Sequence, residues 1–157
     1  MQKIHPFLWF DTQAEEAMHF YCSVFKNSKV GKVVRNVDAG PGPKGSVLFC
    51  IFELEGEQFT ALNAGPQFKF NEAISLMVDC KSQEEVDTLW EKLTAGGGKP
   101  GDCGWLKDKY GLSWQITPTV LLELISDPDP GKSKRAMEAM MKMTKIDIAK
   151  LQEAVRG

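Results

Sequence analysis

Cys103-Gly104-Trp105-Leu106-Lys107-Asp108-Lys109-Tyr110-Gly111-Leu112-Ser113-Trp114-Gln115-Ile116-Thr117-Pro118 reads as a strand, a tight polar turn and a second strand closed by proline. Asp108-Lys109-Tyr110-Gly111 supplies the turn, because Asp bonds neighbouring backbone amides and Gly accepts a positive φ. In the second strand Leu112, Trp114 and Ile116 point one way, and Ser113, Gln115 and Thr117 point the other. The apolar face asks for a helix over it. The small polar face has two readings: the wall of a wet cavity, or the solvent side of a half-exposed strand.

Working outward, an internal repeat emerges. The first half opens His5-Pro6-Phe7-Leu8-Trp9-Phe10-Asp11-Thr12, followed by Gln13-Ala14-Glu15-Glu16-Ala17. The second opens Ala73-Ile74-Ser75-Leu76-Met77-Val78-Asp79-Cys80, followed by Lys81-Ser82-Gln83-Glu84-Glu85-Val86. Each reads as a strand, an Asp at its exit, an acidic helix start and an amphipathic helix. Ala17, Phe20, Tyr21 and Val24 form one helical stripe, and Val86, Leu89, Trp90 and Leu93 the other. Thr12 with Glu15, and Ser82 with Glu85, have capping-box spacing.

Further strands are expected over Val30 to Val37, Ser46 to Leu54 and Glu57 to Asn63, with Glu55-Gly56 as a hairpin turn. In the second half Lys99-Pro100-Gly101-Asp102 leaves room only for an abbreviated strand. The expected fold is α+β: a first βαβββ module over 1–65, a second, abbreviated one over 70–118, and a helical extension over 119–157. Within that extension, Lys132 to Lys142 and Ile146 to Val155 read as helices, with Thr144 as the cap of the second. Met137, Met140 and Met141 fall on one stripe that suits packing on the body or on another subunit.

A formal charge of −2 provides no general basic field, so nucleic acid is not an expected partner. No apolar run approaches the ~20 residues that span a bilayer, so no membrane is expected either. The N-terminus lacks a signal-peptide core, and the cysteines at 22, 50, 80 and 103 form no CxxC pair. Free thiols and a cytoplasmic location are the expectation.

Gly104-Trp105 … Asp108-x-Tyr-Gly-Leu-x-Trp-Gln-Ile resembles the end of the PhnB-like branch of the vicinal oxygen chelate superfamily, which includes glyoxalases, bleomycin-resistance proteins and extradiol dioxygenases. Phe20 to Phe25, Phe59-x-Ala61-Leu62-Asn63-Ala64-Gly65 and Val120 to Pro130 extend that resemblance along nearly the whole chain. It implies two sheets facing one another around a concave site, and a homodimer. Superfamily enzymes hold a divalent metal at four inward positions, which the resemblance aligns with His5, Ala61, Ala73 and Gln115. Two alanines bring no ligand, and one imidazole with one neutral amide is too few for a catalytic zinc, manganese or iron. Slipping the alignment by one residue recovers only Glu72 as a strong ligand, and such a slip reverses the strand face. No metal and no cofactor are therefore expected.

The branch also carries the label 3-demethylubiquinone-9 3-methyltransferase. A methyl donor of the S-adenosylmethionine kind ordinarily needs a glycine loop between strand and helix. Gly96-Gly97-Gly98 instead follows a helix and reads as its stop.

What remains is a binding site for a small amphipathic organic molecule. Alternation puts His5, Phe7 and Trp9 on one strand face, with His5 expected to hydrogen-bond the ligand, Phe7, Trp9 and Phe59 to supply apolar walls, and Asn63, Ser75, Ser113, Gln115 and Thr117 the polar contacts. His5 is the one candidate catalytic residue, for an enzyme of lyase, isomerase or transferase type. The C-terminal helices offer a third possibility, recruitment of a protein partner. Cys50 is placed toward the cavity by its expected pairing with Ala61, and Cys103 has no evident base.

Overall fold

The computed structural model describes residues 2–157; Met1, which opens the expected first module, lies outside the described residues. The chain divides into two compact units, the residues up to Phe70 and Asn71–Gly157. The first holds β1 (Phe7–Phe10), α1 (Ala14–Val24), β2 (Ser28–Arg35), β3 (Val47–Leu54) and β4 (Glu57–Asn63). The second repeats the pattern in β5 (Ser75–Cys80), α2 (Gln83–Thr94), β6 (Lys99–Pro100), β7 (Trp105–Lys107) and β8 (Ser113–Pro118). Three more helices follow it: α3 (Thr119–Ile125), α4 (Pro130–Met140) and α5 (Ile148–Arg156).

Both units carry a four-stranded sheet with one topology, β1-β4-β3-β2 and β5-β8-β7-β6. The first strand of each runs parallel to the last, and the other pairings are antiparallel. The fold is α+β, with the abbreviated strand β6 where the sequence leaves little room. Glu55 and Gly56 turn the β3–β4 hairpin with φ of 50° and 83°, the doubly positive geometry that suits right-twisted strands.

Helix starts are solved differently in the two units. Ser82 accepts from the Glu85 amide at 3.1 Å, and the Glu85 carboxylate accepts from the Lys81 amide at 2.9 Å. This is the expected local cap. The expected Thr12–Glu15 box does not form: Gln13 occupies the N-cap position without a side-chain cap bond. Instead Asn63, at the end of β4, accepts from the Ala14 amide at 2.8 Å and donates to the Val47 carbonyl at 3.1 Å.

Under α1 the core is built from Leu8, Phe10, Cys50, Phe52, Leu54, Phe59 and Ala61, all buried. Tyr21 of the helix stacks over Phe52 at 6.3 Å, and Phe52 over Phe59 at 5.6 Å. Full burial of each such side chain is worth about 1.5–3 kcal/mol. Under α2 the corresponding layer is Leu106, Trp114 and Ile116 against Val86, Leu89 and Leu93.

The C-terminal helices differ in detail from expectation. Helix α3 starts directly after Pro118, inside the expected helical extension but ahead of the two helices read within it. Asp147, not Thr144, caps α5, accepting from the Lys150 amide at 3.1 Å. Leu121, Ile146 and Leu151 form their shared core, with Met140 and Met143 packed against it. Met137 and Met141 of the expected methionine stripe are exposed. Cys103 and Gly104 donate to the Met143 and Thr144 carbonyls, both at 2.8 Å, fastening this segment to the start of β7. Gly104 is required there: φ is +85°, and an added Cβ would lie 3.0 Å from Ile146. Among the described residues no helix is long and apolar enough to cross a membrane.

Candidate functional site: two uncovered sheet faces

Each unit places its α1-type helix on one sheet face and leaves other side chains on the opposite face. In the first sheet the register is Phe7↔Thr60↔Ile51 in one row and Trp9↔Leu62↔Phe49 in the next. Register partners share a face, so these six side chains stand together, away from α1. Phe7 is 59% exposed, and Trp9, Phe49, Ile51 and Leu62 are half-buried. The Trp9 indole donates to the Gly65 carbonyl at 2.9 Å and meets the Phe68 ring edge-on at 4.8 Å. This face is almost wholly apolar.

Two expected members do not belong to it. Phe59 lies on the α1 side, stacked in the core, and Asn63 serves as the α1 cap described above. Both share a face with Ala61, itself fully buried and paired with Leu8 and Cys50. The cross-strand register, which a single sequence does not state, shows that the β4 positions turned away from α1 are Thr60, itself buried, and the half-buried Leu62. Cys50 is corrected with them: its Sγ contacts the Ala14 carbonyl under the helix at 3.4 Å. Burial pushes its thiol up to about 11, and that of Cys80 up to about 12. Neither is poised as a nucleophile at neutral pH.

His5 lies two residues before β1 begins, outside the regular strand. Its Nδ1 is buried and has no hydrogen-bond partner among the described residues.

In the second sheet one row is Ser75↔Ser113↔Lys107 and the next is Met77↔Gln115↔Trp105. These occupy the face opposite Trp114, whose indole donates to a buried Asp108 carboxylate at 2.8 Å. Asp108 also accepts from the Tyr110 and Leu112 amides, which makes it the organiser of the turn. Gln115 donates to the Ser75 hydroxyl at 2.9 Å. Ser113 is 1% exposed, yet its Oγ has no partner among the described residues. Lys107 is ion-paired with Glu72, and its hydrogen bond holds the Glu72 carboxyl below the usual carboxylate range. Sequence reading found Ser75, Ser113 and Gln115 on this face, and missed Met77, Trp105 and Lys107, whose places depend on the pairing of β5, β7 and β8.

A resident metal does not suit these residues. Ala61 and the exposed Ala73 bring no donor, and Gln115, whose Nε2 donates to Ser75, offers only a neutral amide oxygen. Among the described residues no three His, Cys, Asp or Glu side chains cluster closely enough to hold an ion. A separate polar groove of about 390 Å³ lies among Gln83, Asp87, Lys142, Lys145 and Lys150, and none of the expected site residues lines it.

A family model described as 3-demethylubiquinone-9 3-methyltransferase matches residues 2–117, so α3, α4 and α5 fall outside the matched stretch. A solved PhnB protein from Bacillus cereus is 40% identical, with a TM-score of 0.68, covering 74% of this chain and 99% of its own. A protein from Pseudomonas aeruginosa, at 18% identity and TM-score 0.57, covers 75% of this chain and 98% of its own and shares the fold. A glyoxylase/bleomycin resistance protein/dioxygenase domain from Frankia sp. EAN1pec has 14% identity and TM-score 0.48 over 75% of this chain and 92% of its own. No curated protein matches the chain.

Proposed function

The chain belongs to the PhnB-like 3-demethylubiquinone-9 3-methyltransferase family, with the glyoxalase-like fold, and from that premise we propose that it binds a small amphipathic organic molecule on its uncovered sheet faces without a metal ion. One observation carries the proposal. In each sheet the helix covers one face, while the other presents side chains suited to a ligand: Phe7, Trp9 and Leu62 in the first, Ser75, Gln115 and Trp105 in the second. Apolar area with a few fixed polar groups is the composition of small-molecule sites. Methyl transfer draws no support from the glycines, since Gly96-Gly97-Gly98 closes α2, with φ of 72° and 114° at the first two.

Native mass spectrometry of the purified protein against a library of small organic molecules tests this reading. The expected result is complexes that survive chelation and weaken when the sheet face that holds the compound is altered, by Phe7→Ala for the first sheet or by Gln115→Ala for the second. Binding abolished by chelator and restored by one divalent ion would overturn it.

A second reading, an enzyme using His5 as proton donor or acceptor, draws on the buried, unpartnered Nδ1. Turnover of a library compound that disappears in His5→Gln, with the complex still formed, would favour this reading over binding alone.

A further inference from the structure

Ser75, Ser113 and Lys107 form one row across β5, β8 and β7, and Met77, Gln115 and Trp105 form the next. Neighbouring strands lie about 4.8 Å apart, so the first row sets two serines and a lysine on adjacent strands, with Lys99 of β6 next along it. Behind it stand a thioether and an indole, with an amide between them. The distribution is polar at one end and apolar at the other.

Three features make the polar row a binding element rather than a solvated surface. Ser113 is buried to 1% exposure with its Oγ unpartnered among the described residues. A buried hydroxyl without a partner costs about 1–3 kcal/mol, which an incoming acceptor removes. Ser75 already accepts from Gln115, so its own O–H remains oriented for a second acceptor. Lys107 already holds a carboxylate, that of the exposed Glu72 on the segment leading into β5. Glu72 thus shows that the ammonium at the end of this row takes a carboxylate.

Resting on the ligand-binding reading above, we propose that the second sheet recognises an organic carboxylate. The carboxylate oxygens accept from Ser75, Ser113 and Lys107, displacing Glu72 from the ammonium, and an apolar or aromatic body lies over Met77 and Trp105. Charge-assisted hydrogen bonds from two hydroxyls and an ammonium favour a carboxylate over its neutral or cationic counterpart of the same shape. Glu72 acts as an internal competitor, so the affinity of the empty protein is held down by its own side chain.

The test uses phenylacetate, 2-phenylethanol and phenethylamine as probes, titrated into the full chain while the Trp105 indole N–H is followed by NMR. Phenylacetate is expected to shift that signal and bind at least tenfold more tightly than the other two. Ser113→Ala should weaken phenylacetate binding roughly tenfold, and Lys107→Met by a similar factor with loss of its salt dependence. Glu72→Gln should strengthen it severalfold. If Ser113→Ala fails to fold, the Glu72→Gln and Lys107→Met arms decide alone. Alcohol or amine binding at Trp105 as well as the carboxylate would overturn the anion row while leaving the ligand-binding reading standing. Unchanged or weaker phenylacetate binding in Glu72→Gln would also overturn the row. No shift from any of the three probes would overturn it too, and the library screen would then decide the broader reading separately.

Discussion

The two units share one strand order and one helix placement, yet their uncovered faces have opposite character. The first shows Phe7, Trp9, Phe49, Ile51 and Leu62; the second shows Ser75, Ser113, Gln115 and Lys107 beside Met77 and Trp105. Beneath the helices the sheets are alike, each packing apolar residues against an amphipathic stripe. The repeat therefore constrains the covered faces, because α1 and α2 both need an apolar floor. The faces turned away from the helices carry no such requirement, and a binding role for them leads one to expect that they differ.

The largest difference between the two faces is expected at neighbouring positions on β8. Trp114 points under α2 with its indole on Asp108, so Trp114→Ala should cost about 3–5 kcal/mol of stability. Gln115→Ala, one residue on but across the sheet, should cost less than about 1 kcal/mol, the loss of a part-buried side-chain bond. Chemical denaturation of the pair checks this, and the reverse order would mean the two faces are misassigned. The helix starts come next. Asn63→Ala removes the α1 cap and the bond to Val47 together, for about 2 kcal/mol, whereas Ser82→Ala removes one local cap, for about 1 kcal/mol. Equal effects in the melts would deny the difference between a cap supplied by a distant strand and one supplied locally.

The covered faces can also be probed chemically. Burial raises the Cys50 and Cys80 thiols to about 11 and about 12, one beneath each helix. A thiol whose folded value is raised stays protonated while its unfolded counterpart ionises. These two thus contribute stability that is complete below about pH 9 and is lost as pH rises through about 11 and 12. At pH 8 a thiol reagent should modify the half-exposed Cys103 first and leave Cys50 and Cys80 unmodified until the protein opens. Early modification of either buried thiol would contradict the packing described.

The repeat was legible because its signals are local: strand, Asp, acidic helix start, stripe. So was the opposition of Trp114 to Gln115, which alternation alone dictates. Phe59 and Asn63 were misplaced for a different reason. The stretch Phe59-Thr60-Ala61-Leu62 is small or apolar on both faces, so only the pairing Phe7↔Thr60 reveals which positions lie under α1. The Asn63 cap joins residues 49 positions apart, beyond the reach of any capping-box pattern. Lys107 and Trp105 escaped notice because their relation to Ser75 and Gln115 exists only across strands. Helix α3 falls inside the expected helical extension, but seven residues directly after a strand are too few to show a stripe of their own.

Whether the faces turned away from the helices bind, while the helix-covered ones only hold the fold, can be read from the four tryptophans. Trp9 and Trp105 stand on uncovered faces, Trp114 is buried against the helix side, and Trp90 lies on α2. Their indole N–H signals, assigned by Trp→Phe variants, can be followed while a compound from the library screen is titrated. Saturable shifts are expected at Trp9, Trp105 or both, with Trp114 and Trp90 unmoved. Shifts confined to Trp114 or Trp90 would contradict it.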